Sequence, residues 1–181
     1  IVEIYVPSEI STVNLESRGA KSRGYYKVFI DAGHGGTDPG ALGYGYRESD
    51  LNLQVAKKVE SKLKSKGIDV KMSRNSDIFY SLSERAEMAN DYGADAFVSI
   101  HQNSAEAKSA NGIETYYNRK KEEDRPLSND IQKQVISQTG ANNRGVKNAE
   151  FTVLVKSEMI SALVECGFIT NESEVKKLSD P

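Results

Sequence analysis

Cysteine is nearly absent: Cys166 stands alone among 181 residues, which excludes an intrachain disulfide and leaves the redox compartment unspecified. No apolar run is long enough to cross a bilayer. Excess charge of either sign is missing too. With 24 basic against 26 acidic residues the net charge is −2, which argues against nucleic acid as a partner, because neutralising phosphates takes a concentrated basic face. The densest charged run, Arg119 to Arg125, alternates sign in blocks and reads as a solvated loop. Repeats, low-complexity segments and a second domain are lacking, so a single domain with a substantial core is the simplest organisation. No leader-like segment stands at the amino end. The chain opens on Ile1 and not on Met, so that lack is no argument for the cytoplasm.

Histidine is scarce, and the placement of its two copies is informative. Val28 to Asp31 is a β-prone apolar run that enters a glycine-rich turn, Gly33-His34-Gly35-Gly36. The second histidine, His101, also ends an apolar run, Ala96 to Ile100, and is followed by Gln102-Asn103. Two strands delivering imidazoles at their carboxyl ends make two thirds of a metal site, since a catalytic zinc commonly takes three protein ligands and a water.

Residues 1–25 are poorly patterned and read as a linker or an extra edge strand, with the regular domain occupying 26–181. Strands are expected at 27–31, 68–72, 94–101, 112–117, 151–155 and 160–168. Leu51, Val55, Val59 and Leu63 recur every fourth residue and predict a helix stopped near Gly67; further helices are expected at 81–93, 126–140 and from 171. The alternation implies an α/β fold, a mostly parallel twisted sheet with helices on both faces. In such sheets ligand sites gather at the carboxyl ends of the strands, which places His34 and His101 at one rim.

A third ligand should be a carboxylate. Glu48 lies near that rim, but at the start of a helix, where capping and the helix dipole also favour an acid; Asp38 and Asp50 compete for the role. Glu165 sits among apolar neighbours in Leu163-Val164-Glu165-Cys166-Gly167. Burying a carboxylate there costs several kcal/mol unless something compensates it, so proton transfer or a salt bridge to Arg85 or Arg144 are its two readings. Cys166 points to the opposite face and reads as core packing.

Asp31-Ala32-Gly33-His34-Gly35-Gly36, Arg47-Glu48-Ser49, Ser99-Ile100-His101-Gln102-Asn103-Ser104 and Leu163-Val164-Glu165-Cys166-Gly167-Phe168, in this order, resemble the type-3 catalytic domain of zinc-dependent N-acetylmuramoyl-L-alanine amidases, found in bacterial autolysins and some phage lysins. The resemblance runs from about Tyr26 to the end of the chain, and Asn143-Arg144-Gly145-Val146-Lys147 is similar to a further family segment. Residue by residue it implies His34, Glu48 and His101 as ligands of one Zn2+, Glu165 as catalytic acid/base, and Asn103 and Arg144 near the substrate groove. It also implies peptidoglycan as substrate and a secreted, cell-wall or envelope location. Wall-binding domains are expected to flank the domain in its parent protein, with a monomer as the default state. Gln102 stands where the family more often carries a small residue, which implies a narrower rim; the family usually continues beyond Pro181 into a long closing helix. The short, polar stretch Lys120 to Asn129 implies a groove without an inhibitory helix. A zinc peptidase acting on stem peptides would use the same ligands, and a wall-binding module that retained only the fold is the non-enzymatic alternative.

Overall fold

The computed structural model describes residues 24–180, so the expected linker or edge strand over 1–25 falls outside the described residues except for Gly24 and Tyr25. In chain order the elements are β1 (Lys27–Ala32), β2 (Leu42–Gly43), β3 (Tyr46–Arg47), α1 (Glu48–Ser65), β4 (Asp69–Met72), α2 (Leu82–Tyr92), β5 (Ala96–Asn103), β6 (Ile113–Asn118), a 3₁₀ turn (Glu122–Asp124), α3 (Arg125–Thr139), β7 (Asn143–Ala149), α4 (Thr152–Lys156), β8 (Ile160–Phe168) and α5 (Glu172–Leu178). Six strands form one sheet in the order β4-β1-β5-β8-β6-β7. The first four run parallel, β6 is antiparallel to β8, and β7 is parallel to β6.

Strand alternation divides the core in two. On one face Ile30, Ala32, Val70 and Ile100 pack against Ala56 and Leu63 of α1. On the other, Phe29, Phe97 and Leu163 meet Ala89 of α2 and Val153 and Leu154 of α4, with the Phe29 and Phe97 rings stacked at 5.9 Å. Each fully buried Phe or Leu contributes about 1.5–3 kcal/mol, so these two layers fix the sheet between its helices. The chain leaves β1 through α1 to β4 on one side, then crosses back through α2 to β5 on the other. The crossovers therefore diverge at the β1–β5 pair, and divergence opens a crevice at the carboxyl ends of these two strands.

Local signals set the helix ends. Ser81 caps α2 in a reciprocal box with Glu84, and Gly93 ends it in the left-handed conformation at φ 65°. Pro126 sits in the first turn of α3, and Gly140 closes that helix at φ 63°.

Two sequence expectations are corrected. Residues 151–155 are not a strand: α4 occupies Thr152–Lys156, because Val153 and Leu154 are adjacent and both buried, and an extended chain would send one of them to solvent. The segment Asn143–Ala149, polar and interrupted by Gly145, carries no strand signature, yet it is the edge strand β7, recruited by pairing with β6. No described helix is long and apolar enough to cross a membrane.

Candidate metal centre and active site

The two histidines meet because their strands are neighbours. Ala32 is registered with Ile100, and the Gly33 N–H donates to the Ile100 carbonyl at 3.1 Å, so His34 and His101 emerge side by side. Their ring centroids lie 4.9 Å apart with planes at 77°. His34 adopts a positive φ of 59°, unusual without glycine, and its turn is held by side chains in place of a ladder. Arg74 Nε and Arg85 Nη1 donate to the Ala32 carbonyl at 2.9 and 2.7 Å. Arg74 Nη2 and Asn52 Nδ2 donate to the Gly33 carbonyl at 3.0 and 3.2 Å, and Arg85 Nη2 donates to the His34 carbonyl at 2.8 Å.

Glu48, only 4% exposed, joins the two imidazoles: its Oε1 lies 3.2 Å from His34 Nε2 and 2.9 Å from His101 Nδ1. The remaining Glu48 lone pairs accept from the Ala41 and Gln102 backbone N–H groups. Ligand atoms of His34, Glu48 and His101 all lie within 4.8 Å of one another, a cluster fit to hold a metal ion. Glu48 starts α1, but its carboxylate is turned onto the histidines. Of its competitors, Asp38 accepts from His34 Nδ1 at 2.7 Å and so orients that ring, while Asp50 pairs with Arg47 away from the cluster.

Burial alone would raise Glu48, but the paired imidazoles outweigh it and hold the carboxyl below the usual range. Burial opposes the charge on His34; Glu48 and Asp38 win and push this imidazole up to about 9. Backbone closeness completes the cradle. A Cβ on Gly33 would fall 2.4 Å from His101 Nε2, and one on Gly40 2.6 Å from Glu48 Oε2. Gly33→Ala therefore displaces the His101 ring and is expected to weaken metal affinity about 10–100-fold, read by metal titration; unchanged affinity would show that the turn yields without cost.

Glu165 is registered with His101 across the β5–β8 pair, on the same sheet face. Its Oε2 is buried and has no hydrogen-bond partner among the described residues. Burial pushes this carboxyl up to about 7, with His101 opposing and Glu48 and Glu114 adding to the rise. Neither arginine suggested by the sequence neutralises it. Arg85, fully buried, pairs with Asp31 at 2.9 Å, and Arg144 pairs with Glu114 at 2.7 Å.

The family model described as N-acetylmuramoyl-L-alanine amidase matches residues 28–181. The chain belongs to the N-acetylmuramoyl-L-alanine amidase family. It is 48% identical over 153 residues to the uncharacterized protein YqiI of Bacillus subtilis, covering 83% of this chain and 74% of that one. It is 44% identical over 153 residues to the N-acetylmuramoyl-L-alanine amidase LytC of the same organism, again over 83% of this chain but only 31% of LytC. The crystal structure of N-acetylmuramoyl-L-alanine amidase from Clostridium difficile 630 superposes with a TM-score of 0.84 at 42% identity, covering 86% of this chain and 87% of that one.

Within this amidase fold, α3 packs on the sheet face opposite Glu165: Thr115 reaches Gln132 of α3, while its neighbours Glu114 and Tyr116 turn to the other side. Gln102 does not narrow the rim. It is buried beneath the site with its Nε2 on Asn52 Oδ1 at 3.2 Å, because β5 alternation turns it away from the face of His101.

Sequence reasoning missed Asn52, Arg74 and Glu114, and gave Arg85 the wrong partner. Glu114 gathers both expected groove residues, accepting from Asn103 Nδ2 at 2.8 Å and from Arg144 Nε. A polar side chain inside an apolar strand was the available signal, the same one that exposed Glu165.

Arg85 has a consequence for stability. Asp31 is wholly buried; burial opposes its charge, but Arg85, Ser73 and Ser99 hold its pKa below the ordinary value. A depressed folded pKa adds stability that is present above about pH 4 and is lost as pH falls further. Arg85→Ala leaves buried Asp31 without its counter-charge and takes the donor from the Tyr80 and His34 carbonyls, so urea unfolding should show a loss of about 3–5 kcal/mol at pH 7. A loss under about 1 kcal/mol, the exposed-pair range, would contradict this accounting.

Proposed function

We propose that the chain hydrolyses the amide between the lactyl group of N-acetylmuramic acid and L-alanine in peptidoglycan, using one Zn2+ held by His34, Glu48 and His101, with Glu165 as general base and acid. The observation that carries the reading is the convergence of two imidazoles and a carboxylate on one point, next to a buried carboxylate oxygen that has no partner. Two imidazoles and one carboxylate are a catalytic zinc donor set with an open position. The ligand atoms of His34, Glu48 and His101 lie within 4.8 Å of one another, near enough for one ion to be held by all three. Bound there, zinc supplies a Lewis acid that polarises the scissile carbonyl and acidifies the attacking water.

Glu165 takes the proton from that water as its oxygen bonds to the lactyl carbonyl carbon. The carboxyl then passes the proton to the L-alanine nitrogen as the C–N bond breaks, leaving a lactyl carboxylate and a free amine. Asp38 keeps the His34 ring oriented, and Arg74 and Arg85 keep the His34 turn in place. Its family relatives support a site of action in the bacterial cell wall.

The test is product analysis of digested peptidoglycan. New amino-terminal L-alanine with free lactyl carboxylates is the expected result. Cleavage within the stem peptide, with the lactyl amide intact, would overturn the reading in favour of a peptidase, and wall binding without solubilisation in favour of a binding module.

A further inference from the structure

On the sheet face that carries His101 and Glu165, the next strands present a second polar group. Glu114 of β6 is the register partner of Glu165 and is 3% exposed. Above it stand two cations from the edge strand β7. Arg144 Nε and Lys147 Nζ both donate to the same oxygen, Glu114 Oε2, at 2.7 and 2.5 Å. One carboxylate against two cations leaves a net positive charge, and both cations are partly exposed, 33% for Arg144 and 41% for Lys147.

The pair is built in advance. The guanidinium lies 4.8 Å over the buried Phe168 ring and its Nη1 approaches the Asn111 carbonyl at 3.4 Å; among the described residues Nη2 has no hydrogen-bond partner, which leaves it for a ligand. Tyr116 donates to Glu114 Oε1 and lies under the Lys147 ammonium. Guanidinium and ammonium groups held by a buried acid are a receptor for a carboxylate, because charge-assisted hydrogen bonds gain most where the donors are already fixed.

The order of groups across the sheet says which carboxylate. The metal ligands come from the β1–β5 side, Glu165 stands on β8, and the cations lie beyond it on β7. If Glu165 returns its proton to the leaving nitrogen, the leaving peptide extends from that nitrogen away from the metal ligands, over β6 and β7. The cationic heads sit on Glu114 of β6, one strand spacing of about 5 Å from Glu165, and a peptide advances about 3.5 Å per residue, so the second residue of the leaving peptide reaches the cations. We propose that Arg144 and Lys147 form a carboxylate-recognition subsite, selecting stem peptides whose second residue carries a free carboxylate. This rests on the amidase reading above.

The test uses two soluble N-acetylmuramoyl tripeptides with L-alanine first and D-glutamate second, joined onward through its γ-carboxyl. The α-carboxyl is free in one and amidated in the other. Zinc-loaded wild-type chain should favour the free acid by about tenfold or more, chiefly in KM, and added salt should shrink the preference. Arg144→Gln and Lys147→Gln should each reduce that ratio, the double variant should bring it to about one, and Arg144→Lys should restore part of it, an outcome that a purely structural role would not give. Equal turnover of both substrates by wild type, or a preference that survives the double variant, overturns the subsite and leaves the amidase reading standing. No turnover of either substrate overturns both.

Discussion

On the proposed mechanism, replacing Glu165 with glutamine should leave the protein folded and metal-loaded but lower kcat by about 10²–10⁴. The isosteric amide keeps the volume and removes the proton acceptor. In the wild type, Oε2 is buried without a partner, a cost of roughly 1–3 kcal/mol that makes sense at a position where water and the leaving nitrogen complete the shell. Because the change touches none of the cluster residues, metal content should stay at one per chain while turnover falls. The free carboxyl is pushed up to about 7, and a divalent cation beside it pulls that value down. The acid limb of kcat/KM should therefore lie below pH 7 in wild type and vanish in Glu165→Gln. Wild-type turnover by the variant would refute the assignment of Glu165.

Removing a residue of the proposed metal cluster should act on both readouts at once. His34→Ala takes away one of three donors and the partner of Asp38, so bound zinc and peptidoglycan solubilisation should fall together below detection. Glu48→Ala should do the same and also destabilise the chain, since the Ala41 and Gln102 N–H groups lose their acceptor. In wild type a chelator should stop solubilisation and added zinc should restore it. Protons compete with the metal for His34, which is held up to about 9 without it, so apparent zinc affinity should rise with pH as binding releases protons. Full activity of His34→Ala, or of chelated wild type, would remove the metal from the mechanism.

Some of these features are displayed by the sequence and others are hidden in it. Leu51, Val55, Val59 and Leu63 announce a helix by spacing, and α1 is there. Glu165 announces itself by being an acid in an apolar strand. β7 is silent, since its strand state is imposed by pairing with β6 and not by propensity, and the Glu114 cluster depends on that pairing. Residues 151–155 mislead because Val153-Leu154-Val155 favours a strand, while the packing on Tyr116 and the α2 face requires a turn of helix.

By itself the sequence determined the periodicities, the glycine-rich turn after β1, the strand-end histidines and the isolated acid, all of which depend on neighbours within a few residues. The family resemblance pointed to Glu48, but why that carboxylate joins the histidines, which partners Arg74 and Arg85 take, and that Arg144 answers to Glu114 and not to Glu165 were decided only by the tertiary structure. Those choices are set by strand order and register, which bring together residues 14 to 54 positions apart. Local propensity carries no information about which buried charge will find which partner, because burial makes that choice only when the sheet closes.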